Sequence, residues 1–280
     1  MVGLLLAFAV GIVGTLLYGV NRWQSATKRL HTRIVAAPLP IIPKFYDSRE
    51  LEGVPAPVQR YFRGVLKEGQ PFIAGVSVEH DGTFNLSKSG EQWQPFNSRQ
   101  RVITKPPGFV WDGAIQMFSG LKVFVHDAYV AGQGVLVAKL LGLITVMEQA
   151  STPELAQGEL MRFFAEAVWY PTALLPSQGV YWQGIDDRHA SATFTDSGTT
   201  VKLLLAFDGQ GLISSVRSEG RYREIDGVQV ATPWQGRFWD YELQDGMLVP
   251  LEGEVAWLLA EGPKPYWRGR IKRIVYKYAQ

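Results

Sequence analysis

Val201-Lys-Leu-Leu-Leu-Ala-Phe-Asp-Gly209 decides the fold. Val201, Leu203, Leu205 and Phe207 alternate with Lys202, Leu204 and Ala206, a two-residue period that an extended strand turns into one apolar face. Asp208-Gly209 then supplies the residues of a tight reversal. The same period recurs on both sides. Phe109, Trp111, Gly113, Ile115 and Met117 share one face, as do Val123, Val125, Asp127 and Tyr129. Val216, Ser218, Gly220 and Tyr222 alternate with Arg217, Glu219, Arg221 and Arg223, and strands are also expected over 235–243, 254–260 and 266–278. Further turns are expected at Asp81-Gly82, Asp226-Gly227 and Asp245-Gly246.

One long helical segment interrupts this pattern. Thr152 is placed to cap it, Pro153 suits its first turn, and Leu155, Leu160, Phe163, Phe164 and Ala167 form its apolar stripe. A shorter helix is expected over 58–66, after Pro55 and Pro57, with Val58, Tyr61, Phe62, Val65 and Leu66 at helical spacing. About ten antiparallel strands around one helix make an α+β domain. Its expected form is a large, strongly curved antiparallel sheet, a half-barrel, around a central helix.

The chain has 280 residues, is 46% hydrophobic and 19% charged, and carries a formal net charge of +2. That balance is globular and gives no argument for nucleic acid. Without cysteine there is no disulfide, thiol nucleophile or thiolate metal site.

Val2–Val20 carries no charge, and as a helix it is roughly 28 Å long, about one hydrocarbon thickness. A cleaved signal peptide is the competing reading. The near-absence of an N-terminal basic region and the poor cleavage sequence Tyr18-Gly-Val-Asn-Arg22 favour a retained transmembrane helix. Arg22, Lys28, Arg29 and Arg33 follow it, with Trp23 at the interface, which favours a cytoplasmic domain. The expected organisation is an anchor over 2–20, a juxtamembrane linker over 21–45 with Pro38, Pro40 and Pro43 extending it, and a single curved-sheet domain over 46–280.

Phosphate-binding glycine loops, the zinc-protease HExxH pattern and the GxSxG nucleophile turn are all missing. The four histidines show no metal-ligand spacing, and neither metal nor cofactor is expected. His126-Asp127 would point to opposite faces of a strand, and Asp186-Asp-Arg-His189 reads as a polar turn. Carboxylates among aromatics are more informative: Asp112, Asp127, Glu166 and Asp240. Each needs a partner if buried, and Arg162, Arg217, Arg221, Arg237 and Arg268 are available. Glu166, Trp169 and Tyr170 would share a face if helical, and Arg162 lies one turn before Glu166. In the C-terminal strand Arg268, Arg270 and Lys272 alternate with Trp267, Gly269 and Ile271, giving a basic face opposite a core face.

Gln59-Arg-Tyr-Phe-Arg63, Phe109-Val-Trp-Asp112, Asp127-Ala-Tyr129, Glu166-Ala-Val-Trp-Tyr-Pro-Thr-Ala-Leu-Leu-Pro176, Pro233-Trp234 and Pro265-Tyr-Trp267 resemble an uncharacterised bacterial family. It is a domain of unknown function that often follows one hydrophobic segment. The resemblance spans roughly residues 50–278 and implies no catalytic residues. At fold level the pattern is similar to lipoprotein-localisation-factor-like lipid carriers, which implies a sheet wrapped around a helix with acyl chains held in the gap. That analogy favours a periplasmic domain, against the basic flank.

The leading expectation is a membrane-anchored, non-enzymatic domain that binds a lipid or another hydrophobic ligand. Trp111, Trp169, Tyr170, Trp234 and Trp239 are its expected wall, and Arg162 with Glu166 the polar pair at its rim. Two alternatives stand beside it: a hydrolase using Glu166 with Asp112 or Asp240, and an envelope structural or interaction protein using a sheet edge or the basic strand. Expected partners are membrane lipid and a hydrophobic small molecule, with no nucleic acid; a protein partner is undefined.

Overall fold

A computed structural model describes residues 2–36, 39–87, 90–118, 120–149, 151–225 and 227–280. Asp226 and Pro38 lie outside them, so the expected Asp226-Gly227 turn and part of the proline-rich stretch have no structural account.

The alternating runs form a single thirteen-stranded antiparallel sheet. In chain order the strands are β1 (Ile73–Asn85), β2 (Trp93–Ile103), β3 (Gly108–Gln116), β4 (Lys122–Val130), β5 (Gln133–Leu140) and β6 (Ile144–Gln149). After the helical segment come β7 (Tyr181–Gly184), β8 (His189–Asp196), β9 (Thr199–Phe207), β10 (Ile213–Ile225), β11 (Val228–Gln244), β12 (Met247–Leu259) and β13 (Gly262–Tyr278). They lie in the order β6-β5-β4-β3-β2-β1-β13-β12-β11-β10-β9-β8-β7. Two meanders are therefore joined where β1 pairs with β13 (Val76 opposite Tyr276). In this arrangement alternate turns share an end. Of the described turn residues, 117–118, 120–121, 141–143 and 260–261 lie at one end of the strands, called upper below, and 208–212 and 245–246 at the other, while the curl brings Gly132, just past the lower end of β4, against Ser197, just past the upper end of β8.

Among the described residues the sheet curls without pairing its edge strands. The Tyr129 hydroxyl donates to Asp196 Oδ2 at 2.7 Å, linking β4 to the end of β8. Gln149 Nε2 donates to Glu224 Oε2 at 3.4 Å, linking β6 to β10. Helix α3 (Pro153–Ala165) fills the trough between them and packs on β4 and β5 to one side and β9 and β10 to the other. Thr152 caps it as expected, its side chain accepting from the Leu155 amide at 3.2 Å. Three 3₁₀ turns follow, over Glu166–Trp169, Pro171–Leu174 and Pro176–Gln178. With helix α2 (Ala56–Val65) they close the lower end, where Tyr61, Phe62, Leu51, Leu160, Tyr170 and Leu175 are fully buried.

The expected turn at Asp81-Gly82 is not one. Both residues lie inside β1, paired with Arg270 and Gly269 of β13. The glycine serves a close backbone approach instead, since a Cβ at Gly82 would fall 2.0 Å from the Arg268 carbonyl oxygen. Asp245-Gly246 does form the β11–β12 hairpin, both residues having positive φ.

Helix α1 runs from Val2 to Ile34, so residues 21–34 are not extended chain. Its second half lies on the back of β3 and β4, burying Leu30 and Ile34 against Val110, Ala128 and Val130, and Trp23 against Phe124 and His126.

Candidate functional site

The two faces of β3 and β4 carry different polar clusters, because neighbours in a strand point to opposite sides. Trp111 and Asp127 face the trough, while Asp112 and His126 face α1.

Inside the trough, Arg162 is the centre. It comes from the last turn of α3, and the Glu166 backbone N–H, which closes that turn, bonds back to the Arg162 carbonyl. The Arg162 guanidinium donates from Nη1 to Asp127 Oδ2 at 2.6 Å and from Nε to Glu166 Oε1 at 2.8 Å. Gln100 of β2 donates to Glu166 Oε2 at 2.6 Å. The guanidinium plane lies over Phe109 at 4.9 Å and Trp111 at 5.4 Å from the ring centroids. Burial works against its charge, but the carboxylates outweigh it and raise its pKa.

Glu159, one turn earlier on α3, is 3% exposed and 3.4 Å from Arg221 Nη2. Burial first, and then Asp127, push its carboxyl well above the usual range, with Arg221 opposing. One oxygen each of Glu159 and Asp127 finds no other partner. A proton kept on Glu159 and directed at Asp127 satisfies both.

Above this network the trough is aromatic. Phe96 packs on Trp111 at 5.8 Å and Trp267 at 5.9 Å, and Tyr266 packs on Phe84 at 5.8 Å and Trp257 at 5.7 Å. Trp234 Nε1 donates to the Tyr266 hydroxyl at 2.9 Å. Two indoles lie flat over glycines two residues on in their own strands. A Cβ would meet the ring at 2.1 Å at Gly113 (Trp111) and 2.3 Å at Gly269 (Trp267). The ring nitrogens Trp111 Nε1, Trp169 Nε1 and His80 Nε2 are buried and hydrogen-bond to no group among the described residues. An open cleft of about 290 Å³ lies at the upper β3–β4 turn, lined by Gln116, Met117, Phe118, Gly120, Leu121 and Lys122.

Six of the seven residues singled out in the sequence, Trp111, Arg162, Glu166, Trp169, Tyr170 and Trp234, lie in the trough. The seventh, Trp239, is on the outer face, 39% exposed, donating to Glu252 at 2.6 Å. Arg162 and Glu166 sit deep in the trough, not at its rim. Tyr170 is wholly enclosed, its hydroxyl donating to the Phe163 carbonyl. Glu166 meets Asp127 through Arg162. Asp112 faces α1, and Asp240 pairs outside with Arg270 at 3.2 Å. The residues sequence reasoning missed are Gln100, Glu159 and His80, whereas Arg221 was among the arginines expected to neutralise a buried carboxylate. Glu159 carried a signal: with Arg162 and Glu166 it repeats at i, i+3, i+7, putting charges on the buried stripe of a helix.

The second cluster fastens α1. Trp23 Nε1 donates to Asp112 Oδ1 at 2.8 Å, and the Thr27 hydroxyl lies 3.2 Å from Asp112 Oδ2 and 2.7 Å from His126 Nε2. Trp23 stacks on His126 at 3.7 Å between centroids. Burial holds His126 down to about 3, helped by His31 and Lys139. It also raises Asp112, against the hydrogen bonds from Trp23 and Thr27.

The basic face of β13 is neutralised. Arg268 reaches Glu254 at 2.8 Å, Arg270 reaches Glu252 at 2.6 Å, and Lys272 reaches Asp81 at 3.2 Å. Among the described residues no group of three or more His, Cys, Asp or Glu is arranged to hold a metal ion.

Fold and site together define an α+β protein with a curved antiparallel sheet wrapped on one central helix and an apolar helix at its N-terminus. The chain belongs to the family of unknown function DUF6920, which matches residues 52–276. No curated protein matches it. Among solved structures it is similar to a DUF1329 family protein from Desulfovibrio piger (12% identity, 73% of this chain and 86% of that one, TM-score 0.40). A putative outer membrane lipoprotein-sorting protein domain from Vibrio parahaemolyticus aligns at 10% identity over 73% and 86% of the two chains, TM-score 0.39. A LolA superfamily protein from Nitrosomonas europaea aligns at 12% identity over 79% and 92%, TM-score 0.35.

Proposed function

We propose that this protein is a membrane-anchored, non-enzymatic domain that holds a lipid or another hydrophobic molecule against the aromatic upper part of its trough. The observation that carries the reading is the fastening of α1. The uncharged half of α1 leaves the domain at its upper end, beside Leu141 and Leu143. That is the same end at which Phe84, Met117, Trp257, Tyr266 and Trp267 remain only partly buried on the trough side. A hydrophobic molecule leaving the bilayer would meet this wall first.

Three further observations support it. The lower trough is filled, so ligand space belongs at the upper end. The unpartnered ring nitrogens of Trp111, Trp169 and His80 offer hydrogen bonds to the polar end of a ligand within an apolar wall, as small-molecule sites do. The carboxylates suggested for hydrolysis, Glu166, Asp112 and Asp240, face three different places, which favours a binding role. Retention of α1 as an anchor agrees with Trp23, Leu30 and Ile34 being part of the domain's own packing.

The test uses the full chain, because removing α1 strips those residues from the back of the sheet. Protein purified in mild detergent is extracted for lipid and titrated with a fluorescent fatty acid. Co-purifying lipid and saturable binding, weakened several-fold by Trp267→Ala, are expected. Absence of both would sink the reading.

A further inference from the structure

We propose that the upper rim beside α1, built from the β3–β4 and β5–β6 turns, seats in the headgroup layer of a lipid bilayer, with Phe118, Leu121 and Ile144 entering it. This rests on the reading of α1 as an anchor and adds which surface of the domain meets the lipid.

The helix and the rim are locked together backbone to backbone. A Cβ on Gly19 would lie 2.3 Å from the Leu141 carbonyl oxygen, and one on Gly142 would lie 2.5 Å from the Gly19 oxygen. The Leu141 amide donates to the Lys122 carbonyl at 2.9 Å, which ties the two turns to each other. The rim therefore has no freedom to swing away from α1.

Gly19 also lies near the end of the uncharged run, one residue before Val20 and three before Arg22. Helical rise puts Val2 roughly 26 Å further along, close to a hydrocarbon thickness. With that span in a bilayer, the locked turns stand at the boundary between acyl chains and headgroups. Their side chains suit that place: Phe118 is 64%, Ile144 62% and Leu121 41% exposed. An apolar cluster of this kind, left in water, is a liability that lipid removes.

Depth is limited by the backbone. Strand β6 is a sheet edge with unpaired N–H and C=O groups, which hydrocarbon cannot satisfy, so the rim stops in the hydrated headgroup layer. Lys122 and Arg22 then lie at the level of the phosphates.

The chain has no cysteine, so single-cysteine variants report from one place each. Phe118→Cys, Ile144→Cys, the lower-turn control Gln210→Cys and the span control Val10→Cys are labelled with an environment-sensitive dye. Each full-length protein is reconstituted into phosphatidylcholine–phosphatidylglycerol vesicles containing nitroxide-labelled acyl chains. Blue-shifted, strongly quenched emission is expected at 118, 144 and 10, and neither effect at 210. Labels at 118 and 144 that behave like 210, while 10 is quenched, overturn the rim proposal and leave the anchor standing. An unquenched label at 10 overturns the anchor, and the rim proposal with it.

Discussion

The indole N–H of Trp23 donates to the Asp112 carboxylate at 2.8 Å, joining residues 89 positions apart across the back of the sheet. This bond holds the second half of the N-terminal helix to the back of the sheet. Its acceptor is also 3.2 Å from the Thr27 hydroxyl, and the indole stacks on His126. Asp112→Ala removes the acceptor for both donors and is expected to lower stability by about 1–3 kcal/mol. Trp23→Ala also empties a buried site and is expected to cost about 3–5 kcal/mol. Chemical denaturation of the full chain in detergent, with hydrogen exchange over residues 21–34, measures both.

Gly19 and Gly11 lie in the same helix but should respond differently. A methyl at Gly19 collides with Leu141 and Leu143, whereas nothing lies within 4 Å of one at Gly11. Gly19→Ala is expected to destabilise by about 1–3 kcal/mol. Gly11→Ala is expected to be neutral. Equal melting shifts for the two would contradict the locked contact.

Arg162 compensates two carboxylates, so its loss is worse than that of either partner. Arg162→Met strands Asp127 and Glu166 and is expected to cost about 3–5 kcal/mol. Adding Asp127→Asn and Glu166→Gln to it should restore much of that loss. A triple variant no more stable than the single one would refute the pairing, as read by urea titration.

Acid should loosen the fold through His80 and His126. Burial lowers both to about 3 from 6.5, with Arg162 adding to His80, and His31 and Lys139 to His126. The unfolded chain takes up protons below 6.5 that the folded chain refuses until about 3. Their contribution is therefore complete above 6.5 and is lost as pH falls toward 3, at about 1.4 kcal/mol per pH unit for each histidine. Glu159, whose pKa is raised, has the opposite sign: its contribution is present below its ordinary range near 4.5 and is lost as pH rises. His126→Phe should flatten the acid limb by one proton. An unchanged slope in melts between pH 7 and 4 would count against burial of a neutral His126.

Gly113→Ala pushes a methyl into the Trp111 ring, 2.1 Å from its nearest atom. It is expected to cost about 1–3 kcal/mol and to raise the near-ultraviolet signal's temperature sensitivity. A silent variant would mean the indole does not lie on its own strand.

Much of the fold was legible because strand period and helix cap are local. Alternation from Val201 to Phe207, the Asp245-Gly246 hairpin and the Thr152-Pro153 helix start appear where the residues indicate them. Asp81-Gly82 misled because a turn dipeptide and a glycine needed for strand approach are spelled alike, and only the neighbouring β13 tells them apart. Six of the seven chosen side chains reached the trough, because an aromatic or charge beside Glu166 or on an apolar strand face is a local signal. Trp239 escaped it, being on the outer face of β11. Gln100 and His80 had no signal, since their partners come from elements distant in the chain, and Arg221 was legible only as one of several arginines available to a buried carboxylate.

By itself the sequence determined the class: alternating strands, one central helix, an uncharged leading span and no thiol chemistry, all set by short-range periodicity and composition. The tertiary structure alone decided that residues 21–34 are helical and pack on the back of β3 and β4, that Arg162 lies between Asp127 and Glu166, and that the apolar turns stand beside Gly19. Those are contacts between segments far apart in the chain, and their energies depend on which faces the folded sheet brings together, a quantity no local pattern encodes.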